Sequence, residues 1–246
     1  MPRGKNALPT NLDIAKKPDY AAGMDESTWW TGNDLAGMKE LACISHSERK
    51  LRLFGCACCR RMWPMLNRKK LRHAIEVAER FADRLASDDE RIAAHRSIAR
   101  SIDLFDVDST QGQEALYAAE FLLDSARFAG FNAPDLALQA IAAARRHEPA
   151  VREAEARVQM EVLRDIFGPL LFRWIPFAQE WREWRRGCLP KLARTIYEDE
   201  HFDLLPILSD ALQEAGCTDA DVLTHCHSRS RHTRGCWVVD WILGKN

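Results

Sequence analysis

Apolar residues recur at intervals of three and four along most of the chain, and this spacing constrains the fold more than any other feature. One such stripe comprises Ala74, Ile75, Ala78, Phe81, Ala82 and Leu85. Charged residues fill the positions between, so each segment has one face to bury against another helix. No alternating strand pattern and no fixed repeat length is found. The sequence therefore predicts an all-α protein, an irregular helical bundle or helical array with few or no strands.

Start and stop signals predict where individual helices begin and end. Ser47 is predicted to cap a helix, because its hydroxyl can accept a hydrogen bond from a first-turn backbone N–H. Thr218 and Asp221 resemble a capping box in which Asp replaces the usual Glu. A further helix is expected from Pro149 to about Phe167. The other long predicted helices span about residues 68–86, 88–105, 111–129 and 134–147.

The composition changes in residues 168–187, where tryptophans stand among arginines and the helical pattern is weakest. This stretch is the best boundary between two helical units. The sequence predicts four regions: a flexible N-terminal arm (1–24), a helical domain (25–167), a Trp/Arg-rich connection (168–187) and a small C-terminal helical subdomain (188–246).

The composition also limits where the protein works and what it can bind. Residues 1–20 lack the apolar run of a secretory signal, and no later stretch reaches the roughly 18 apolar residues of a membrane span. The eight cysteines are therefore expected to be reduced, in a cytoplasmic protein that does not contact membranes. Because the formal net charge is only −1, any attraction to nucleic acid must come from local patches.

The C-terminal region contains a group of residues that could hold a metal ion. Cys217, Cys226, His232 and Cys236 offer thiolate and imidazole ligands of the kind that tetrahedral zinc prefers. His225 and His227 are substitutes for one of these ligands. The spacing follows no standard finger or ribbon pattern. The alternative interpretation is that the cysteines are small buried hydrophobic residues and the histidines lie on the surface.

Basic residues are concentrated in groups, and two interpretations of them remain open. Arginines that converge in space could grip phosphates, which would make the protein a nucleic-acid-binding module. Arginines that stay apart would pair with acidic residues or solvate helix faces. The residues predicted to contact nucleic acid or another anion are Arg60, Arg61, Arg229, Arg231 and Arg234.

Two motifs resemble an uncharacterised protein family that is frequent in planctomycete genomes. The first is Cys58-Cys59-Arg60-Arg61-Met62-Trp63, and the second runs from His225-Cys226 through His232 to Arg234-Gly235-Cys236-Trp237-Val238-Val239-Asp240. The resemblance implies that Cys217 also falls on a recurring motif position. The family has no known activity, so the resemblance supports the motif positions but does not predict a function.

The functional prediction rests on aromatic residues, since the recognisable catalytic motifs are missing. No P-loop, GxSxG or HExxH pattern occurs in the sequence. Large aromatics and arginine anchor protein interfaces. The predicted anchors are Trp29, Trp30, Trp174, Trp181 and Trp184. The leading hypothesis is a non-enzymatic accessory subunit that binds another protein, and the alternatives are a nucleic-acid-binding module or a metal-dependent enzyme at the C-terminal Cys/His group.

Overall fold

The computed structural model describes residues 24–44, 47–66, 68–102, 110–145, 148–228 and 230–245. Within these residues the chain forms twelve α-helices and no strand, which confirms the predicted all-α class. The predicted N-terminal arm, apart from Met24, and Arg229 lie outside the described residues.

The helices are numbered in chain order. Their bounds are α1 Glu26–Thr31, α2 Leu35–Ile44, α3 Glu48–Arg60, α4 Lys69–Ala82, α5 Asp88–Ile102, α6 Thr110–Leu122, α7 Ala126–Ala144, α8 Pro149–Phe167, α9 Gln179–Asp199, α10 Leu205–Glu214, α11 Ala220–His227 and α12 Trp237–Leu243. Short 3-10 turns occupy Trp63–Met65, Gly168–Leu171 and Phe202–Leu204.

Local capping chemistry sets several helix starts. The Ser47 hydroxyl accepts a hydrogen bond from the backbone N–H of Lys50, so the predicted cap of α3 is confirmed. The predicted cap of α11 was wrong by one residue. Asp219, and not Thr218, caps this helix, because its carboxylate accepts the backbone N–H groups of Asp221 and Val222. A carboxylate at this position also interacts favourably with the helix dipole.

Helix α7 corrects two predicted boundaries. The sequence signals predicted a helix ending near residue 129 and another starting at Pro134, whereas α7 runs unbroken through Pro134. The reason is its packing against α3. A Cβ atom on Gly55 of α3 would lie only 2.1 Å from the carbonyl oxygen of Ala129, so the two backbones approach as closely as glycine allows. This contact stabilises the helix across a residue that would otherwise interrupt it.

The buried hydrophobic residues form two groups. The first, here the N-terminal core, extends along the chain from Trp29 to Leu171. The second, the C-terminal core, extends from Ile175 to Ile242. The change from one core to the other falls inside the predicted connection. Trp29 is fully buried and packs edge-on against Phe172, so it is a core residue and is not available as an interface anchor.

A group of buried polar side chains, here the Arg49 junction, ties the two cores together. The Arg49 guanidinium donates to Asp83 at 2.9 Å and to Asp240 at 2.6 Å. It also donates to the Tyr197 hydroxyl, which donates in turn to Asp83. Arg234 pairs with Asp83 from a third direction. Asp83 belongs to the N-terminal part of the fold, whereas Tyr197 and Asp240 belong to α9 and α12, so this network fixes one unit against the other.

The Trp/Arg-rich segment is more helical than the sequence indicates. Helix α9 starts at Gln179, and its regular geometry breaks at Trp184–Gly187 before it resumes. Arg185 and Arg186 have positive φ angles of 44° and 60°, in the left-handed region that non-glycine residues rarely adopt. Trp181 and Trp184 pack partly against the C-terminal core, whereas Trp174 is 48% exposed.

None of the helices in the described part of the chain has the length and apolar character needed to span a bilayer. All eight cysteines lie in the described residues, and all are free. Cys56, Cys58 and Cys59 are fully buried in the N-terminal core, and burial raises the pKa of each thiol well above its usual value. These three cysteines therefore act as small apolar packing residues.

Candidate metal centre

Four side chains with metal-binding chemistry converge where α8 meets the C-terminal helices. Asp165, His225, His232 and Cys236 each offer one ligand atom, and these atoms all lie within 4.8 Å of one another. We call this group the Asp165 site. The structure thus brings together a carboxylate, two imidazoles and a thiol.

Each residue reaches the site from a different element. Asp165 lies in the last turn of α8, and His225 lies in the last turn of α11. His232 follows in the connection to α12, and Cys236 is the N-cap residue of α12. The approach of α12 to α8 depends on Gly168, because a Cβ atom there would lie 2.5 Å from the indole of Trp237.

The Asp165 carboxylate is the hub of the site. Its Oδ1 atom lies 2.7 Å from Nδ1 of His232 and 3.2 Å from Nε2 of His225. Its Oδ2 atom accepts the backbone N–H of Thr233 at 2.8 Å. The same Nε2 atom of His225 lies 3.2 Å from Sγ of Cys236. The ligand atoms are therefore already near contact with one another around a small common volume.

Burial controls the ionisation of the site. Burial by itself would raise the pKa of Asp165, but hydrogen bonds from His225 and His232 hold it below its usual value. Asp165 is therefore an anion at neutral pH. Burial and the neighbouring Asp165 charge raise the pKa of the Cys236 thiol well above its usual value. Without a metal ion this thiol keeps its proton, whereas a coordinated thiol loses it.

The residues present fit zinc. One carboxylate and one thiolate would balance the charge of Zn²⁺, and the two neutral imidazoles complete a tetrahedral set. Ordinary zinc bond lengths place neighbouring ligand atoms about 3.3–3.6 Å apart, which falls within the observed separations of 2.7 Å to at most 4.8 Å. The Nε2 atom of His232 is buried without a hydrogen-bond partner. A buried ring nitrogen without a partner is costly in the metal-free arrangement and is relieved if the ring turns to coordinate an ion.

The structure places the four sequence-predicted ligands in two locations. His232 and Cys236 belong to the Asp165 site. Cys217 and Cys226 are not part of that group and are buried in the C-terminal core. Burial raises the pKa of Cys226 to about 12, as expected for a packed thiol. For these two residues the geometry matches the packing interpretation.

Two other residues complete the group. His225, which the sequence suggested as a substitute ligand, lies in it, whereas His227 is half exposed and faces Asp210. Sequence reasoning missed Asp165 altogether. The available signal was a charged residue inside the apolar end of α8, next to Ile166 and Phe167, where a buried carboxylate needs a partner.

Three of the predicted arginine contacts form ion pairs with acidic residues in the described structure. Arg60 pairs with Glu79, and Arg61 pairs with Glu155. Arg234 faces Asp83 in the Arg49 junction. Arg231 is exposed. This arrangement matches pairing with acidic residues more closely than a phosphate-binding face, and nucleic-acid contact stays a prediction.

Comparison with known proteins gives no match: no family model, no curated protein and no solved structure aligns with this chain. The resemblance to the planctomycete family therefore stays a prediction.

Proposed function

We propose that this protein binds one zinc ion through Asp165, His225, His232 and Cys236. The observation that carries the proposal is the convergence of four ligand atoms within 4.8 Å. The charge balance and the buried Nε2 atom of His232 support it. Zinc is favoured over magnesium or calcium because the set includes a thiol and two imidazoles.

The proposed role of the ion is structural, in a non-enzymatic protein. The side chains of Asp165 and His232 are 2% and 5% exposed, and that of His225 is 10% exposed. A site closed by four protein ligands is typical of structural zinc, whereas catalytic zinc keeps an open position for water or substrate. The ion would join α8 to the C-terminal helices and so supply part of the folding free energy of the C-terminal unit.

The direct test is the zinc content of protein purified without a histidine tag. We expect close to one equivalent per chain. His232→Ala and Cys236→Ala should each lower this content strongly, because each removes a ligand. Cys226→Ala is the matched control, since it removes a neighbouring buried thiol from the same region without touching the Asp165 site.

The same experiment can reject the proposal. Zinc below about a tenth of an equivalent in protein refolded with excess metal would do so, because structural sites bind zinc with apparent free energies of about 10–16 kcal/mol. Equal loss of zinc in Cys226→Ala and Cys236→Ala would instead indicate that the ion is bound by the cysteine set predicted from the sequence.

We propose binding of another protein as a second function, and we propose that the protein acts in the cytoplasm. The support is Trp174, which is 48% exposed although tryptophan is usually buried. The eight free cysteines are in keeping with a reducing compartment. Trp174→Ala should reduce recovery of a specific partner in a native pull-down, whereas Tyr117→Ala, at another exposed aromatic, should not. Equal recovery with all three proteins would reject this role for Trp174.

A further inference from the structure

A cavity of about 300 Å³ lies beside the Asp165 site. Its lining combines aromatic, charged and hydroxyl side chains and includes Asp165 and His225 of the Asp165 site together with Trp30, Glu161, Arg164, Asp221, Thr224 and Trp237. Trp30 is 36% exposed, which is unusual for so large an aromatic residue. An engineered cavity of about 150 Å³ is known to hold benzene, so this volume admits a small organic molecule.

Asp221 of the lining belongs to an acidic group that continues outside the lining with Glu26 and Asp219. Arg173 is the shared partner of three carboxylates, those of Glu26, Asp219 and Asp221. One guanidinium cannot neutralise three carboxylates. Glu161 adds a further exposed carboxylate to the lining. Among the described residues, the carboxylates in and next to the lining therefore outnumber the arginines even before the Asp165 site is counted.

Arg164, the one arginine or lysine among the described residues of the lining, does not cancel this excess. Arg164 donates through Nε to the carbonyl oxygen of Trp29 at 2.9 Å and through Nη2 to that of Gly32 at 2.7 Å. These bonds hold the guanidinium on the backbone that follows α1. Its single charge is smaller than the sum of the surrounding carboxylates.

We propose that this cavity binds a small organic cation, a primary or quaternary ammonium, which lies against the indole of Trp30 and pairs with the carboxylates of Glu161 and Asp221. An ammonium group placed over an indole face gains a cation–π interaction, and the carboxylates complement its charge. The hydroxyl of Thr224 can hydrogen-bond to a polar group carried by the same ligand. Asp165 and His225 also line the cavity, but the carboxylates that would pair with the cation, Glu161 and Asp221, lie outside the four zinc ligands.

The test compares two probes that differ in charge and match in shape. Choline and its neutral isostere 3,3-dimethylbutan-1-ol are titrated into the protein as purified, with heat of binding as the readout. Butylammonium and butan-1-ol form a second pair that reports on primary amines. Saturable binding of a cation, with its neutral counterpart at least about fivefold weaker, is the expected result.

Matched variants locate the binding. Glu161→Gln and Trp30→Ala should each weaken the cation by about two- to fivefold. Glu153→Gln removes an exposed carboxylate from the same helix, and Trp174→Ala removes an exposed indole outside the cavity lining; neither should change the affinity. The proposal is overturned if no cation saturates below about 10 mM, if the neutral isosteres bind equally well, or if the control variants lose as much affinity.

Discussion

The Arg49 junction and the Asp165 site both join the C-terminal helices to the rest of the fold, but they are built from opposite mixtures of groups. At the Arg49 junction the cation belongs to the chain, and Arg49 donates to Asp83, Asp240 and Tyr197 at the same time. At the Asp165 site the groups are a carboxylate, two imidazoles and a thiol. In the described residues, no arginine or lysine forms an ion pair with Asp165.

Under the proposed function, this difference explains why only the Asp165 site would bind an ion from outside the chain. A buried charge is stable when it is paired and hydrogen-bonded. The Arg49 junction meets this condition with its own side chains. The Asp165 site concentrates ligand atoms and leaves one imidazole nitrogen without a partner, so an added cation would complete it. The predictions below vary one part of this comparison at a time.

The largest expected effect is at the cation of the Arg49 junction. Arg49→Met leaves Asp83 and Asp240 buried without their main partner, and removal of one member of a buried ion pair costs about 3–5 kcal/mol. Urea unfolding of the variant and the parent protein measures this loss of stability. Arg152→Met, at an exposed position of α8, should stay within about 0.5 kcal/mol of the parent. A similar loss in both variants would contradict a special role for Arg49.

The close approach of α8 and α12 can be broken without touching either set of charges. Gly168→Ala forces a methyl group against Trp237 and strains a residue with φ of 55°, for an expected cost of about 2–4 kcal/mol. Gly216→Ala is the matched control. Gly216 also has a positive φ, but no atom lies within 4 Å of the added Cβ. Backbone strain alone should therefore lower the free energy of unfolding by about 1–2 kcal/mol. Thermal or urea unfolding distinguishes the two variants. Equal losses of stability would show that the contact with Trp237 does not contribute to the cost of Gly168→Ala.

The charge of Asp83 should make stability depend on pH. Burial by itself raises the pKa of this carboxyl, but the Tyr197 hydrogen bond and the charges of Arg49 and Lys245 hold it below its usual value. Its stabilising contribution is therefore complete above the unfolded pKa of about 3.9 and is lost as pH falls through the folded value. Asp83→Asn should lower stability by about 1.5–3 kcal/mol at pH 7.

Urea unfolding of Asp83→Asn and the parent protein at pH 7, 5, 4 and 3 follows this dependence. The difference between the two proteins should begin to narrow below about pH 4, because the Asp83 carboxyl of the unfolded parent binds a proton first, and it should keep narrowing as pH falls toward the lower folded pKa. A difference that stays constant across this range would mean that packing, and not charge, accounts for the loss.

The smallest expected effect is at a surface ion pair between an arginine and a carboxylate, the same pairing that Arg49 makes with Asp83 in the interior. Arg185 and Glu214 lie 3.1 Å apart, but their side chains are 67% and 56% exposed. Because water screens such pairs, Glu214→Gln should cost no more than about 1 kcal/mol. The loss should shrink further in high salt. A loss as large as that of Arg49→Met would contradict the idea that burial sets the weight of these pairs.

Local sequence signals predicted most of the fold. Apolar spacing identified the helices, the Ser47 cap placed the start of α3, and proline and glycine signals placed the two ends of α8. The boundary around Pro134 failed because a local helix-breaking signal competes with the contact of α7 with Gly55, which lies far away in the chain. Periodicity reports which face of a helix is buried but not how closely its neighbour approaches.

The candidate site was only partly predictable for the same reason. His232 and Cys236 stand out by residue type, but the residues that join them are decided by packing between α8 and the C-terminal helices. Asp165 lies about sixty residues before its partners in the chain, and an isolated aspartate carries no ligand signature. Cys226 has the same chemistry as Cys236, and both are buried in the C-terminal core, yet only Cys236 belongs to the four-residue group. Tertiary structure, and not sequence spacing, separates the two.

X-ray absorption at the zinc edge of the purified protein tests the central claim most directly, because it counts the ligand atoms by type. The Asp165 site predicts one sulfur at about 2.3 Å and three nitrogen or oxygen neighbours at about 2.0–2.2 Å. A shell with two or more sulfurs would place the ion on the other cysteines of the C-terminal region. A shell of oxygen atoms alone, or no bound zinc at all, would contradict the account.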